Sequence, residues 1–134
     1  MEAPNCYASP QNWGAALGDS REERVARLVR GRVAKDANGQ DLPLVRPNVG
    51  KTGLDVLGPN GEYVFVGGGA KAKNFSKFVE KLKIGKWAAD QQGVRAMYYF
   101  DEANTPDNVI RKAEQVLGKD NVFLFSMEDD CDDE

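Results

Sequence analysis

A chain of 134 residues with 18 Lys and Arg against 21 Asp and Glu, no histidine, and two cysteines, Cys6 and Cys131, has the length of one compact domain. A chain this long buries about two-thirds of its unfolded surface, so it needs neither a disulfide nor a structural metal to hold a core. The missing histidine excludes every mechanism whose base is imidazole, and two distant cysteines exclude a cysteine-rich zinc site; hydrolytic chemistry would have to come from carboxylates holding a hard cation, usually with a lysine.

The formal charge of −3 averages two unlike parts. Residues 128–134 hold six acids in seven positions, which leaves 18 basic against 15 acidic groups in residues 1–127, a net of +3. The body is mildly basic, and the tail is too acidic to pack and is expected to be disordered. No stretch approaches the roughly 18 apolar residues of a membrane span. The first residues lack the charged-then-apolar order of a signal peptide, so the chain is expected to be soluble as given. Cys6 and Cys131 read as free thiols near the ends rather than as a terminal staple.

Residues 1–20, with Pro4, Pro10, Gly14 and Gly18, read as an irregular lead-in. A first helix is expected from Asp19-Ser20, carrying apolar Val25, Leu28 and Val29 and ending at Gly31. Residues 31–50 contain Asn38-Gly39, Pro43 and Pro47 and are expected to form a loop, at most with a short edge strand around 42–45. A hairpin follows, with strands at 54–57 and 62–66 joined by Gly58-Pro59-Asn60-Gly61. Pro59 fixes φ near −65° and favours a type I turn whose Gly61 takes the left-handed position, which pairs Gly58 with Glu62 and Asp55 with Phe65. After Gly67-Gly68-Gly69, a helix from about Asn74 to Gln92 carries Phe75, Phe78, Val79 and Leu82 on one stripe, with Gly85 as a candidate kink. Then come a strand at 95–100, a helix opened by Thr105 as N-cap with Pro106 first in the helix and stopped by Gly118, and a last strand at 121–125. The order predicts an α/β fold: a mixed β-sheet flanked by helices, its later strands parallel, in one domain spanning 20–126 before the acidic tail at 127–134.

Several segments could carry chemistry. Gly50-Lys51-Thr52 is not a phosphate-binding P-loop, because Val45 stands where the first glycine is required and a strand follows. Gly67-Gly68-Gly69-Ala70-Lys71 leads from a strand to a helix N-terminus, where free amides favour an anion; a tight turn needing positive φ accounts for one or two of those glycines equally well. Residues 71–86 hold six lysines against Glu80 alone, a local net of +5, and Lys73, Lys77 and Lys81 share one helix face. Such a ridge could track a nucleic acid backbone, an acidic protein, or only solvent. Asp55 lies among Leu54, Val56 and Leu57, where an acid is costly unless it pairs or binds a cation, or unless the strand edge is exposed. Glu22 shares the core-facing side of the first helix, whereas Glu23 points more to solvent; a helix-start acid favoured by the dipole explains both equally.

The run Leu54-Asp55-Val56-Leu57-Gly58-Pro59-Asn60-Gly61, the 66–72 loop, Gly93-Val94-Arg95-Ala96, Thr105-Pro106-Asp107 and 117–123 together resemble the C-terminal tRNase toxin domains of contact-dependent growth inhibition effectors. The resemblance spans roughly residues 20–125. It implies the PD-(D/E)XK nuclease superfamily, with a four-stranded mixed sheet, a divalent cation, expected to be Mg²⁺, and a site built from a strand Asp, a second carboxylate, a Lys and often a helix Glu. Carried onto this chain, Asp55 is the strand acid and Lys71 the lysine, while Glu22 is the helix carboxylate, with Asp55 and Glu22 as metal ligands. Gly68, Gly69, Lys73, Lys77 and Lys81 would contact RNA. The second acid is expected near Gly53 or Gly69, and glycine stands at both. In the expected register Lys71 also lies about 20 Å beyond Asp55 along a straight strand, so the glycines would have to fold the chain back. The resemblance further implies export within a large cell-surface effector, delivery to a target-cell cytoplasm, cleavage of tRNA there, and a cognate immunity protein. The competing expectations are a non-catalytic module binding nucleic acid or an acidic protein, and a DNase of the same fold.

Overall fold

The computed structural model describes residues 15–68 and 73–127, with residues 15–19 as backbone only. The expectations placed on the lead-in before residue 15, on Gly69 and Lys71, on both cysteines and on the acidic tail lie outside the described residues. Helix α1 (Ala15–Val29) is followed by β1 (Arg32–Val33), β2 (Leu42–Arg46), β3 (Gly50–Leu54), β4 (Val56–Leu57), β5 (Tyr63–Gly67), α2 (Phe75–Gln92), β6 (Ala96–Asp101), α3 (Asp107–Leu117), a 3₁₀ turn and β7 (Val122–Phe125). Five strands form a mixed sheet in the order β1-β4-β5-β6-β7, antiparallel through β5 and parallel from β5 to β7, while β2 and β3 pair separately.

The mixed sheet flanked by helices is as expected, but it has one strand more than the four that the resemblance implies; the short edge strand expected around 42–45 is β2, and residues 31–50 add β1, a Lys35–Asp41 bridge and the start of β3. Pro43 is compatible with β2 because the strand lies at the edge of a two-stranded ribbon, where one face of the backbone needs no ladder partner. Helix α1 starts before Asp19, and its left-handed end residue is Arg30 (φ 61°) rather than Gly31. Gly31 is required for another reason: a Cβ there would stand 2.0 Å from the Leu57 carbonyl oxygen. Gly85 lies within the unbroken helix α2 and admits the ring of Phe65, whose nearest atom would be 2.7 Å from an added Cβ. Thr105 does not cap α3. Its hydroxyl donates to the Asp101 carbonyl at 2.7 Å, and Pro106 takes the cap position.

Alternation along the strands divides the core into two layers. Phe65, Ala96, Tyr98 and Phe100 face α2, α3 and Leu54 of the hairpin. Val56, Val64, Val66, Met97 and Phe125 face Val25 and Ala26 of α1. The first layer is aromatic: Tyr98 stacks on Phe100 with centroids 4.3 Å apart, and Phe78 of α2 meets both rings edge-on. Each such pair adds about 1 kcal/mol beyond its buried area, which fixes α2 over β5 and β6. The β2-β3 hairpin lies along α2, pinned by Arg46 over the Trp87 ring at 5.5 Å. Asp55 is the single residue between β3 and β4, so the chain changes sheets at that acid.

Candidate metal centre

Asp55 is held by its own strand switch. In the β4-β5 ladder Val56 pairs with Val64 and Leu57 with Tyr63, the register expected from the turn, and Gly58 donates to the Glu62 carbonyl at 2.9 Å. Alternation of hydrogen-bonded pairs would next give the Val66 amide to the Leu54 carbonyl. Leu54, however, is already paired with Leu42. The Val66 amide therefore donates to Asp55 Oδ2 at 2.8 Å, and the carboxylate takes the place of the missing ladder partner.

Two turns bring a second acid and a lysine to the same place. The Asp36 carboxylate accepts from the amides of Asn38 and Gln40, Gly39 takes φ 79°, and the reversal sets Lys35 opposite Asp41 in an antiparallel bridge. A second turn at Pro47-Asn48, with Asn48 at φ 66°, pairs Arg46 with Gly50 and Leu42 with Leu54. One step further along that register, Asp41 stands across from Asp55. From the other layer, α1 contributes Glu22. Carboxylate oxygens of Glu22, Asp41 and Asp55 lie within 4.8 Å of one another.

Lys35 is the cation of the cluster, with Nζ 2.8 Å from Asp41 Oδ1 and 3.2 Å from Glu22 Oε1. Buried Glu22 Oε1 has no well-aligned hydrogen bond, so its contact with Lys35 is one of charge. Burial pushes the Asp55 carboxyl well above its ordinary value, opposed by the Val66 amide and reinforced by the charges of Glu22 and Asp41. Glu22 is raised chiefly by burial and then by Asp41, against the pull of Lys35. The hydrogen bond to Asp41 holds Lys35 more firmly protonated than a free lysine, against its partial burial.

A cleft of about 160 Å³ opens beside the acids, lined by Asp41, Thr52, Gly53 and Asp55, with Tyr98 and Phe78 among its deeper walls and Lys81 also lining it. The Tyr98 hydroxyl, raised by burial and then by the charge of Asp55, stays neutral.

Of the residues expected at a site, the structure brings Glu22 and Asp55 together, and Lys81 lines the same cleft. Lys77 turns to Glu80 on its own helix at 3.8 Å, and Lys73 is exposed at the start of α2. Gly68 is buried against Arg21, whose guanidinium carbon would be 3.0 Å from an added Cβ; that packing accounts for the glycine. Asp41 and Lys35 were not expected. Asp41 supplies the carboxylate sought near Gly53: a Cβ on Gly53 would lie 2.9 Å from that of Asp41, so the glycine makes room for the acid of the neighbouring strand.

Among the described residues, three carboxylates stand against one lysine, a formal charge of −2, with hard oxygen donors converging and one buried oxygen poorly satisfied. That donor set fits a divalent cation of the magnesium, manganese or calcium type. No family model, curated protein or solved structure matches the chain. Among the described residues no helix is long and apolar enough to cross a membrane.

Proposed function

We propose that the chain is a metal-dependent ribonuclease domain of the PD-(D/E)XK type, acting on tRNA as a contact-dependent growth inhibition toxin and held in check by a cognate immunity protein. The observation that carries the catalytic part is the convergence of Glu22, Asp41 and Asp55 from a helix and two strand ends, with Asp41 and Asp55 lining a cleft that Lys81 also lines. The toxin and immunity parts rest on the resemblance of residues 20–125.

Asp41 and Asp55 would hold the cation, with Glu22 completing the set. When bound, such a cation lowers the pKa of a coordinated water and offsets charge on a phosphate in flight. The chain's own groups do the rest. Lys35 holds Asp41 and Glu22 in place through its ammonium group. The Val66 amide fixes one oxygen of Asp55, and the same carboxyl meets the side chains of Glu22 and Asp41. Lys71, outside the described residues, keeps the role that the resemblance implies, orienting the nucleophile or neutralising charge on the phosphate, and Lys35 is a lysine beside the acids. The body's net of +3 over residues 1–127 draws a polyanion towards the site.

The test incubates the purified chain with tRNA, total RNA and plasmid DNA, with Mg²⁺ and with chelator. Discrete RNA products that vanish with chelator and in Asp55→Ala are expected. Cutting of plasmid alone would indicate a DNase, and binding without products under any divalent cation would indicate a non-catalytic module. Lys35→Ala and Lys71→Ala, made in parallel, separate the two lysines.

A further inference from the structure

The lysines of α2 are not equivalent. Lys77 is paired with Glu80, and Lys86 donates to Asp90 at 2.9 Å, so two of the ridge charges are answered by acids of the same helix. Among the described residues Lys81 has no acidic partner, and neither has Lys51 of β3. These two unpaired cations come from elements far apart in sequence, and the hairpin brings them to one hollow. That hollow, about 380 Å³, is lined by Lys51, Thr52, Gly53, Lys81, Gln40 and Asp41, with Asp36 and Pro43 completing it. It shares Asp41, Thr52, Gly53 and Lys81 with the cleft that contains Asp55, so the two spaces meet at the acids.

The arrangement is built rather than incidental. Gly50 lets the ribbon close on α2, since a Cβ there would stand 3.3 Å from Ile84 Cδ1, and Arg46 on Trp87 fixes the other end of the same ribbon. In β3, alternation puts Thr52 and Leu54 inward and Lys51 outward at the rim. Lys51, Lys81 and Thr52 thus line the space beside Asp41, and Asp36, the other acid of that hollow, has its carboxylate engaged by the Asn38 and Gln40 amides. The Lys35 ammonium is engaged with Glu22 and Asp41. A strand of acids alone would repel a polyanion; a cationic rim on a single side gives its backbone a direction of approach.

We propose that Lys51 and Lys81, with Thr52 of the same hollow, form a phosphate subsite that grips the RNA phosphodiester adjacent to the one presented to Glu22, Asp41 and Asp55. The subsite rests on the nuclease reading for its substrate, and it commits the rim to nucleic acid backbone rather than to an acidic protein. Contacts of this kind carry no base information, so they set affinity and register along the strand and leave sequence choice to other residues.

The test measures binding of a fluorescein-labelled single-stranded RNA and of tRNA to the full chain in EDTA over a salt series. Lys51→Gln and Lys81→Gln are each expected to weaken binding about 3- to 10-fold and to flatten the salt dependence by about 0.7 in log–log slope per lysine. Lys83→Gln, two residues along α2 and exposed on another side of the helix, should change binding less than 2-fold by the same screening argument. Equal losses in Lys81→Gln and Lys83→Gln would overturn the subsite in favour of a diffuse field, as would wild-type affinity in both rim variants. Displacement of RNA by poly-glutamate at equal charge concentration would also overturn it, assigning the rim to an acidic protein. The subsite and the nuclease reading fail separately. Cleavage lost in Asp55→Asn with rim variants binding normally removes the subsite alone, whereas rim-dependent binding without cleavage in any divalent cation removes the nuclease reading alone.

Discussion

Arg21 and Glu22 are neighbours in α1, yet they serve acidic clusters of opposite character. Arg21 reaches Asp101 at the end of β6, with Nε 3.0 Å and Nη2 2.9 Å from Oδ2. The same carboxylate accepts from the Ala103 amide and from Asn104 Nδ2, both at 3.1 Å. Asp101 is 3% exposed, and both of its oxygens are engaged by donors of the chain itself. In the other group, among the described residues, Glu22 and Asp41 share Lys35, and Asp55 beside them accepts from the Val66 amide. A buried acid that only holds a fold together is given its own cation and amides, as Asp101 is. Glu22 and Asp55 are raised by burial and by the charges of their neighbours, and under the proposed metal reading a bound cation would relieve that repulsion.

The widest separation between the clusters should appear in Asp41→Asn and Asp55→Asn. Either change is expected to lower RNA cleavage on the order of 100-fold, about 2.7 kcal/mol of barrier, while the folded state is kept or strengthened because a repelling charge is removed. Single-turnover cleavage and thermal melting of the same samples check both halves; an active Asp41→Asn would remove that residue from the site. Asp101→Asn should do the reverse. It leaves Arg21, 18% exposed, without its partner and is expected to cost about 3 kcal/mol of stability in chemical denaturation, with cleavage intact in whatever fraction remains folded.

Metal and pH sharpen the same contrast at smaller amplitude. Glu22 and Asp55 are raised by burial and by their neighbours' charges, so the metal-free folded state holds protons that the unfolded chain has released. Stability contributed by such groups is lost as pH rises from the ordinary carboxylate range, about 4, through their raised values. The metal-free wild type should therefore lose stability relative to Asp55→Asn as pH rises above the ordinary carboxylate range, because the Asp55→Asn curve lacks that component. Divalent cation restores the balance: at 100 times its Kd, Mg²⁺ or Mn²⁺ should stabilise the wild type by about 2.7 kcal/mol at pH 7 and leave Asp41→Asn nearly unmoved. A melting temperature indifferent to both cation and the Asp41 change would show that the cluster binds no metal.

Where sequence and structure part company, tertiary register is the reason. The turn at Gly58-Pro59-Asn60-Gly61 carries its own conformational code, and Gly61 duly takes φ 88° with its amide on the Gly58 carbonyl. The α2 start was equally local, since the Asn74 side chain accepts from the Lys77 amide. Asp55 was legible as an acid among apolar neighbours, and Glu22 as the acid three before Val25 and seven before Val29 on the core-facing side of α1. Asp41 and Lys35 have no such local signature. Their signal was in two turn centres: counting outward from Asn38 pairs Lys35 with Asp41, and counting outward from Asn48 pairs Asp41 with Asp55. Pro43 and Pro47 hid it by making the segment read as loop, and only the packing of the ribbon on α2 makes that pairing the stable one.

The smallest expected effect tests whether Asp41 is where it must be. Gly53 faces Pro43 in the β2-β3 ladder, and a methyl group there would meet Asp41 Cβ at 2.9 Å and Oδ2 at 3.2 Å. Gly53→Ala carries no charge change and reduces the freedom of the unfolded chain, a gain of about 0.4–1 kcal/mol that offsets much of the crowding. Net stability should therefore move by no more than about 1 kcal/mol. Asp41, however, has to shift by a few tenths of an ångström away from Asp55 and Glu22, and a ligand set held for one cation tolerates such a shift poorly. Cleavage should fall several-fold, and the melting shift produced by Mn²⁺ should shrink in proportion. Asp101, in the other cluster, is untouched by this change, so loss of the cation response with the metal-free melting temperature preserved would tie the effect to Asp41 alone. An unchanged cation response would instead place the cation on Asp55 and Glu22 without Asp41, and the glycine would then be explained by strand packing.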